Sequence, residues 1–327
     1  MKKLMIAALA GVGLLLGFPQ RTAHAASFEP VLTLGTSLTQ AQKQGTIDTL
    51  QQAANVNNAS QLTVTGDTLV KYLNPAGNSF TANSGVWSSA LVQRTDNGGI
   101  NVKLVPYQGS QNITTITADQ YRNAALTAGV TNANLYITSA VKIDGSGALA
   151  GVYAAFAQNG QQLNPEQIKA AQDEVNTLSD ITQQNKDKEG YTDKQLNNAV
   201  AGMKQQMASQ SNQGEQTLSQ NQIGNIVDSQ LKNNNLGTII NNNQRTQIIN
   251  LLVKIQNSGA LNRADFEAQA KKLGQSIQEG ATKLFSGMKD SLAKLDTEEN
   301  RNMLQKVWTS IKNFFNNLWQ WAQQQFG

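Results

Sequence analysis

Two patterns of apolar and polar positions divide this chain. From Val31 to about Phe156, apolar residues fall in short β-branched runs and alternations, interspersed with short helical stretches; beyond Gly160 they recur at helical spacing. The first pattern predicts an α+β domain, a small sheet with packed helices, and the second an all-α C-terminal helical region. Val31–Leu34 and Gln61–Thr65 read as strands. Thr39 with Gln42 forms a capping box opening a helix through about Ala53, and Asp67 is placed to cap a short helix ending near Leu73. Val86–Arg94 and Ile100–Val105 flank Asp96-Asn97-Gly98-Gly99, which predicts a hairpin. Thr117 caps a helix from Ala118 to about Ala128, closed by Gly129. Leu135–Val141 is a further strand, and Gly147–Gln158 a helix of small residues. A sheet of four or five strands follows, with its order open.

In the second half, helices are expected over about 165–183, 192–211, 219–232, 244–257, 262–295 and 298–326, the first with Pro165 in its opening turn behind Asn164. Ile168, Ala171, Val175 and Leu178 make one apolar stripe, and Leu196, Val200, Met203 and Met207 another. Both read as bundle core. Leu273, Ile277, Ala281, Leu284, Met288, Leu292 and Leu295 form a nearly straight stripe rather than a heptad seam. The many Asn and Gln residues of this half alternate with Ile and Leu. They read as uncharged solvated faces and loops, with Asn241-Asn242-Asn243 at a helix boundary.

The beginning of the chain alters the charge picture. Lys2 and Lys3, the apolar run Leu4–Phe18 and Ala23-His24-Ala25 have the form of a secretory signal peptide over 1–25, with cleavage expected after Ala25. The run is shorter than the ~20 residues of a spanning helix. Loss of Lys2, Lys3 and Arg21 reduces the excess of basic over acidic residues from four to one. The net charge therefore gives no support to nucleic-acid binding. The expected organisation is a signal peptide (1–25), an α+β domain (26–160), a helical bundle region (161–297) and a C-terminal amphipathic helix (298–327).

Candidate chemistry is sparse. There is no Cys, and the single His, His24, lies inside the expected signal peptide. Disulfides, thiolate metal sites and His-based triads are thereby excluded from the mature chain, and neither metal nor cofactor is expected. Gly145-x-Gly147-x-x-Ala150 meets a loose dinucleotide fingerprint, but a helical, Gln-rich stretch follows where a second strand should be. It reads as a strand-to-helix turn. Asp187–Asp193 resembles a calcium loop, yet Gly190 stands at the fourth place and Asn198 at the twelfth, so it reads as a helix connection. A glycosidase needs only two carboxylates. Asp173, Glu174, Glu298 and Glu299 are all placed where a solvated helix face accounts for them.

The last ~25 residues carry the most unusual side chains. On a helical wheel Trp308, Ile311, Phe314, Phe315, Leu318, Trp319 and Phe326 fall in one broad sector, with Trp319 and Trp321 toward opposite borders. Residues 300–327 hold Arg301, Lys306 and Lys312 and no acid. An aromatic face bordered by Trp suits a lipid headgroup region or a partner. Trp308, Ile311, Phe314, Phe315, Leu318, Trp319, Trp321 and Phe326 are the candidate docking residues, and packing on the chain's own domain is the competing arrangement.

An extended order of motifs adds a family. Leu32-Thr33-Leu34-Gly35-Thr36-Ser37-Leu38-Thr39, Leu62-Thr63-Val64-Thr65, Ser88-Ser89-Ala90-Leu91-Val92, Thr117-Ala118-Asp119-Gln120-Tyr121 through Gly129-Val130, and Gly147-Ala148-Leu149-Ala150-Gly151-Val152 together resemble the DUF1002 family, YpuA-like secreted proteins of Gram-positive bacteria. The likeness covers roughly residues 30–158 and extends more loosely into the helical half. It departs in its Asn and Gln load and in Asp144-Gly145-Ser146-Gly147. The resemblance implies a secreted or envelope-associated protein and supplies no catalytic residues. The expected function is a non-catalytic secreted or cell-envelope protein that meets a membrane surface, or an envelope protein or polymer, through its C-terminal helix. The alternative is a carboxylate-dependent hydrolase of envelope glycans.

Overall fold

The computed structural model describes residues 28–292. The first half is the strand and helix series β1 (Val31–Gly35), α1 (Gln40–Ala54), β2 (Ser60–Val64), α2 (Gly66–Leu73), β3 (Ser88–Arg94), β4 (Ile100–Leu104), α3 (Ala118–Thr127), β5 (Ala133–Ser139) and α4 (Ser146–Gln158). The second half is α5 (Pro165–Asn185), α6 (Asp193–Gln210), α7 (Gln220–Asn233), α8 (Asn242–Asn257) and α9 (Phe266–Leu292). The fold is α+β. The expected signal peptide and the expected C-terminal helix lie outside the described residues.

Local caps set the helix starts. Thr39, Thr117, Ser219 and Asn241 each accept from the amide three residues on, while a Gln side chain returns to the cap amide. Asn164 caps α5 ahead of Pro165. For α2 the cap is Thr65 paired with Thr68, not Asp67, which occupies the first turn, where its charge complements the helix dipole.

The sheet order is β2-β1-β3-β5-β4. β1 and β2 pair in parallel through α1, and β4 and β5 in parallel through α3; β3 is antiparallel to both β1 and β5. The expected β3–β4 hairpin is therefore not formed, because β5 lies between its two strands. The reason is visible at Asn132, just before β5. Its carbonyl accepts from Thr95 N–H (2.7 Å) and its Oδ1 from Gly99 N–H (2.9 Å), so the connection closes on β5 rather than on itself. Register then pairs Arg94 with Ala133 on one side and Ile100 with Ala133 on the other.

α1 covers one sheet face, where Leu50 and Ala54 pack with Leu32, Leu34, Leu91 and Val105. The other face carries α4, whose Gly151 comes so near Thr33 that a Cβ there would meet its Oγ1 at 2.5 Å. Both expected bundle stripes are buried. They belong to a single apolar core that runs from Val92, Leu135 and Ile137 of the sheet into Leu178, Met203 and Ile255 of the helices. Each fully buried Leu, Ile or Phe in it contributes about 1.5–3 kcal/mol relative to exposure. The first three turns of α9 close the bundle through Phe266, Ala270, Leu273 and Ile277.

Candidate functional site

α3 is the helix on which the two halves meet, and it is unusually polar for its position. Asp119, Gln120, Asn123 and Thr127 are all buried. Gln120, Asn123 and Thr127 follow helical spacing, so one stripe of α3 offers amide and hydroxyl groups to α5 and α6. Buried polar groups are costly unless bonded. The residues opposite them meet most of that demand.

At one end of the stripe, Lys204 of α6 meets Glu174 of α5. Their charged atoms are 2.9 Å apart and both side chains are 0% exposed. Lys204 Nζ also donates to the Asn123 carbonyl (2.9 Å) and to Thr127 Oγ1 (3.3 Å), while Thr127 Oγ1 donates to Glu174 Oε2 (2.6 Å). All three ammonium donors thus have acceptors. Burial pulls the Lys204 pKa below its usual value, against the opposing charge and hydrogen bond of Glu174. This corrects the expectation that Glu174 sits on a solvated face. Its neighbours Ala170, Ala171, Val175 and Leu178 are buried, and they carry it inside.

At the other end, the Asp193 carboxylate accepts from Thr117 Oγ1 (2.7 Å), Thr182 Oγ1 (2.9 Å) and Gln120 Nε2 (3.1 Å). Ser179 Oγ bonds Gln120 Oε1 at 3.0 Å, and the Tyr191 hydroxyl lies 2.8 Å from Thr182 Oγ1. Burial raises the Asp193 pKa above its ordinary 3.8, the Thr117 and Thr182 hydroxyls oppose the rise, and the charge of Asp119 adds to it. Asp119 itself is bracketed by Arg122 (2.6 Å) and Lys194 (3.4 Å). Between the two ends, Asn123 Nδ2 donates to the carbonyl and Oδ1 of Asn197, both at 3.1 Å. Asn198 and Asn234 continue the pattern into α7 with a 2.7 Å bond. These interior amides correct the expectation that Asn and Gln mark solvated faces.

Chemically, the seam is committed to its own partners. A few buried atoms beside it stay without a partner among the described residues: Asn123 Oδ1, Arg122 Nε and the Tyr153 hydroxyl. Burial, and then the charge of Glu174, raise the Tyr153 pKa, so the phenol stays protonated. Sequence reasoning missed this site, although a signal existed. Lys204 sits four residues after Val200 in the apolar stripe of α6, and Glu174 four before Leu178 in that of α5, two opposite charges at core positions.

The other sequence candidates fall elsewhere. Asp144 accepts from Ser146 N–H (3.0 Å) and Oγ–H (2.6 Å), and Tyr121 donates to the Gly145 carbonyl (2.7 Å). A Cβ on Gly147 would lie 2.6 Å from Val86 Cγ1, so this helix start is packed against β3 as a turn and leaves no room for a phosphate. Asp187–Thr192 connects α5 to α6. Asp173 pairs with Lys254 at 3.0 Å. Glu298, Glu299 and all eight docking candidates, Trp308 to Phe326, lie outside the described residues. Among the described residues there is no cluster of metal-ligating type and no helix long and apolar enough to cross a membrane.

The surface carries two depressions of note. A polar groove of about 700 Å³ runs beside edge strand β2 and α1, with Glu29 as the sole carboxylate among Gln44, Gln51, Asn57, Asn58 and Gln61. A smaller one, about 270 Å³, is lined by Lys71, Tyr72, Tyr153, Leu163 and Ile168, with no acid. Neither holds the carboxylate pair a glycosidase requires.

The family model described as "Protein of unknown function (DUF1002)" matches residues 34–273. The chain belongs to the DUF1002 family. That span takes in the sheet from the end of β1, the whole polar seam and the first two turns of α9. Along nearly its full length this DUF1002 chain is similar to "Uncharacterized protein YpuA" of Bacillus subtilis (strain 168), with 26% identity over 323 residues, 98% of this chain and 97% of the relative. No solved structure matches.

Proposed function

We propose that this DUF1002 chain is a non-catalytic exported protein that docks at the cell envelope through its C-terminal amphipathic segment. The observation that carries the reading is where its reactive groups are spent. Lys204, Glu174 and Asp193 are engaged by neighbouring side chains in the interior, and neither groove offers a carboxylate pair. The interior serves to hold the two halves together, which leaves recognition to the surface. The apolar stripe that seats α9 through Phe266, Leu273 and Ile277 continues in sequence toward Trp308, Phe315 and Trp319. Phe and Trp beside Arg301, Lys306 and Lys312, without acids, match the chemistry of an anionic lipid surface. The amino-terminal pattern of Lys2, Lys3 and the apolar run to Phe18 supports export.

The test compares residues 26–327 with residues 26–296 for co-sedimentation with vesicles of anionic and of neutral lipid, with circular dichroism as the check on folding. The longer chain should sediment with anionic vesicles and the shorter should stay folded in the supernatant. Equal sedimentation of the two, or a truncated chain that no longer folds, overturns the reading in favour of a C-terminal segment packed on its own domain.

A further inference from the structure

The chain contains two Asn-Gly pairs, Asn97-Gly98 and Asn159-Gly160. In such a pair the backbone nitrogen of the glycine can attack the Asn side-chain amide carbon, since no Cβ shields it. The reaction needs a free nitrogen and a side chain able to swing over it. The two pairs differ in both respects.

Asn159 closes α4. Its Nδ2 donates to the Ala155 carbonyl (3.2 Å), and Gly160 N–H donates to the Ala157 carbonyl (3.1 Å). Both reacting groups are therefore tied into the last helical turn. Asn97 sits in the β3–β4 connection, where it and Gly98 are exposed. Neither the Asn97 side chain nor Gly98 N–H has a hydrogen-bond partner among the described residues; the bond made at Asn97 is from Thr95 Oγ1 to its carbonyl, 2.9 Å. Gly98 has φ +95°, and a Cβ built on it would meet nothing within 4 Å. The connection cannot tighten into a hairpin, because β5 holds β3 and β4 apart.

We propose that Asn97 is a site of spontaneous deamidation and isoaspartate formation in the folded protein. The Gly98 nitrogen forms a bond to Asn97 Cγ and gives up its proton as the Cγ–NH2 bond breaks, releasing ammonia. Water then opens the cyclic imide at either carbonyl, leaving an aspartyl residue in place of the asparagine, or its isoaspartyl isomer. One water enters and one ammonia leaves, with no oxidant or reductant. The place matters, because the connection underlies α9. Gly99 N–H and Gln269 Nε2 share Asn132 Oδ1 as acceptor, at 2.9 and 3.2 Å. A Cβ on Gly99 would come within 3.7 Å of Lys272 Cβ. The isoaspartyl form lengthens the main chain two residues before that junction and adds a negative charge beside Asp96.

The test incubates the folded chain and a urea-unfolded sample at mildly alkaline pH and follows both peptides by mass spectrometry with separation of aspartate from isoaspartate. In the folded protein Asn97 should convert at least about tenfold faster than Asn159, a difference of about 1.4 kcal/mol in barrier; unfolding should bring the two rates together. Equal or slower conversion at Asn97 in the folded chain overturns the assignment. Hydrogen exchange in the first turns of α9 should be faster in the isoaspartyl fraction than in an Asn97→Gln control. Identical exchange in the two overturns the coupling to α9.

Discussion

At the scale of single residues, the Lys204–Glu174 pair shows why one buried charge cannot be judged alone. Replacing Lys204 by Ala would leave the Glu174 carboxylate desolvated with only Thr127 to bond it, at an expected cost of about 3–5 kcal/mol. The double replacement Lys204→Met with Glu174→Leu removes both charges at similar volume and should recover most of that loss. Urea denaturation of the single and double variants checks this. A double variant as unstable as Lys204→Ala would show that the pair contributes net stability. Asp193 makes a prediction about pH. Its folded pKa is raised above 3.8, so its contribution to stability is fully present below 3.8 and is lost as pH rises through the folded value. Stability of the native chain minus that of Asp193→Asn should therefore decline from acid toward neutral pH. A rising difference would contradict the assignment.

At the scale of elements, Asn132 decides how the sheet is threaded. It adopts a left-handed conformation (φ 33°) and serves the Thr95, Gly99 and Gln269 donors together. Asn132→Ala removes the side-chain acceptor and places a less tolerant residue at positive φ, for an expected cost of about 1–3 kcal/mol. Hydrogen exchange should report it as faster opening at Gly99 and at the start of α9, with α1 on the far face unaffected. The same element shows what a short sequence window can and cannot reveal. Capping boxes at Thr39 and Thr117 and the Pro165 start were legible because each depends on residues within one turn. Asp96-Asn97-Gly98-Gly99 reads as a hairpin turn by the same local logic. The hairpin is displaced because β5, more than thirty residues on, offers both strands a partner.

At the scale of the whole molecule, the sheet and the helices share one apolar core, bridged by the polar stripe of α3. A single cooperative transition is expected. In a chain ending at Asp296 the sole tryptophan is Trp87, just ahead of β3, so its fluorescence reports the sheet while far-ultraviolet circular dichroism reports mainly the helices. The two denaturation curves should coincide. A helical transition separated from that of Trp87 would make the halves independent units.

The sequence by itself determined the two patterns, the helix starts at Thr39, Thr117 and Pro165, the apolar stripes of α5 and α6 and the family likeness, because caps and periodicities are set by residues within about a turn of one another. It also located the aromatic C-terminal segment. Tertiary structure alone decided that β5 separates β3 from β4, that Glu174 and Lys204 face each other inside, and that Asn123, Asn197 and Asn234 are interior groups. Each of these depends on a partner distant in sequence, and a buried charge or amide is tolerable only where that partner arrives.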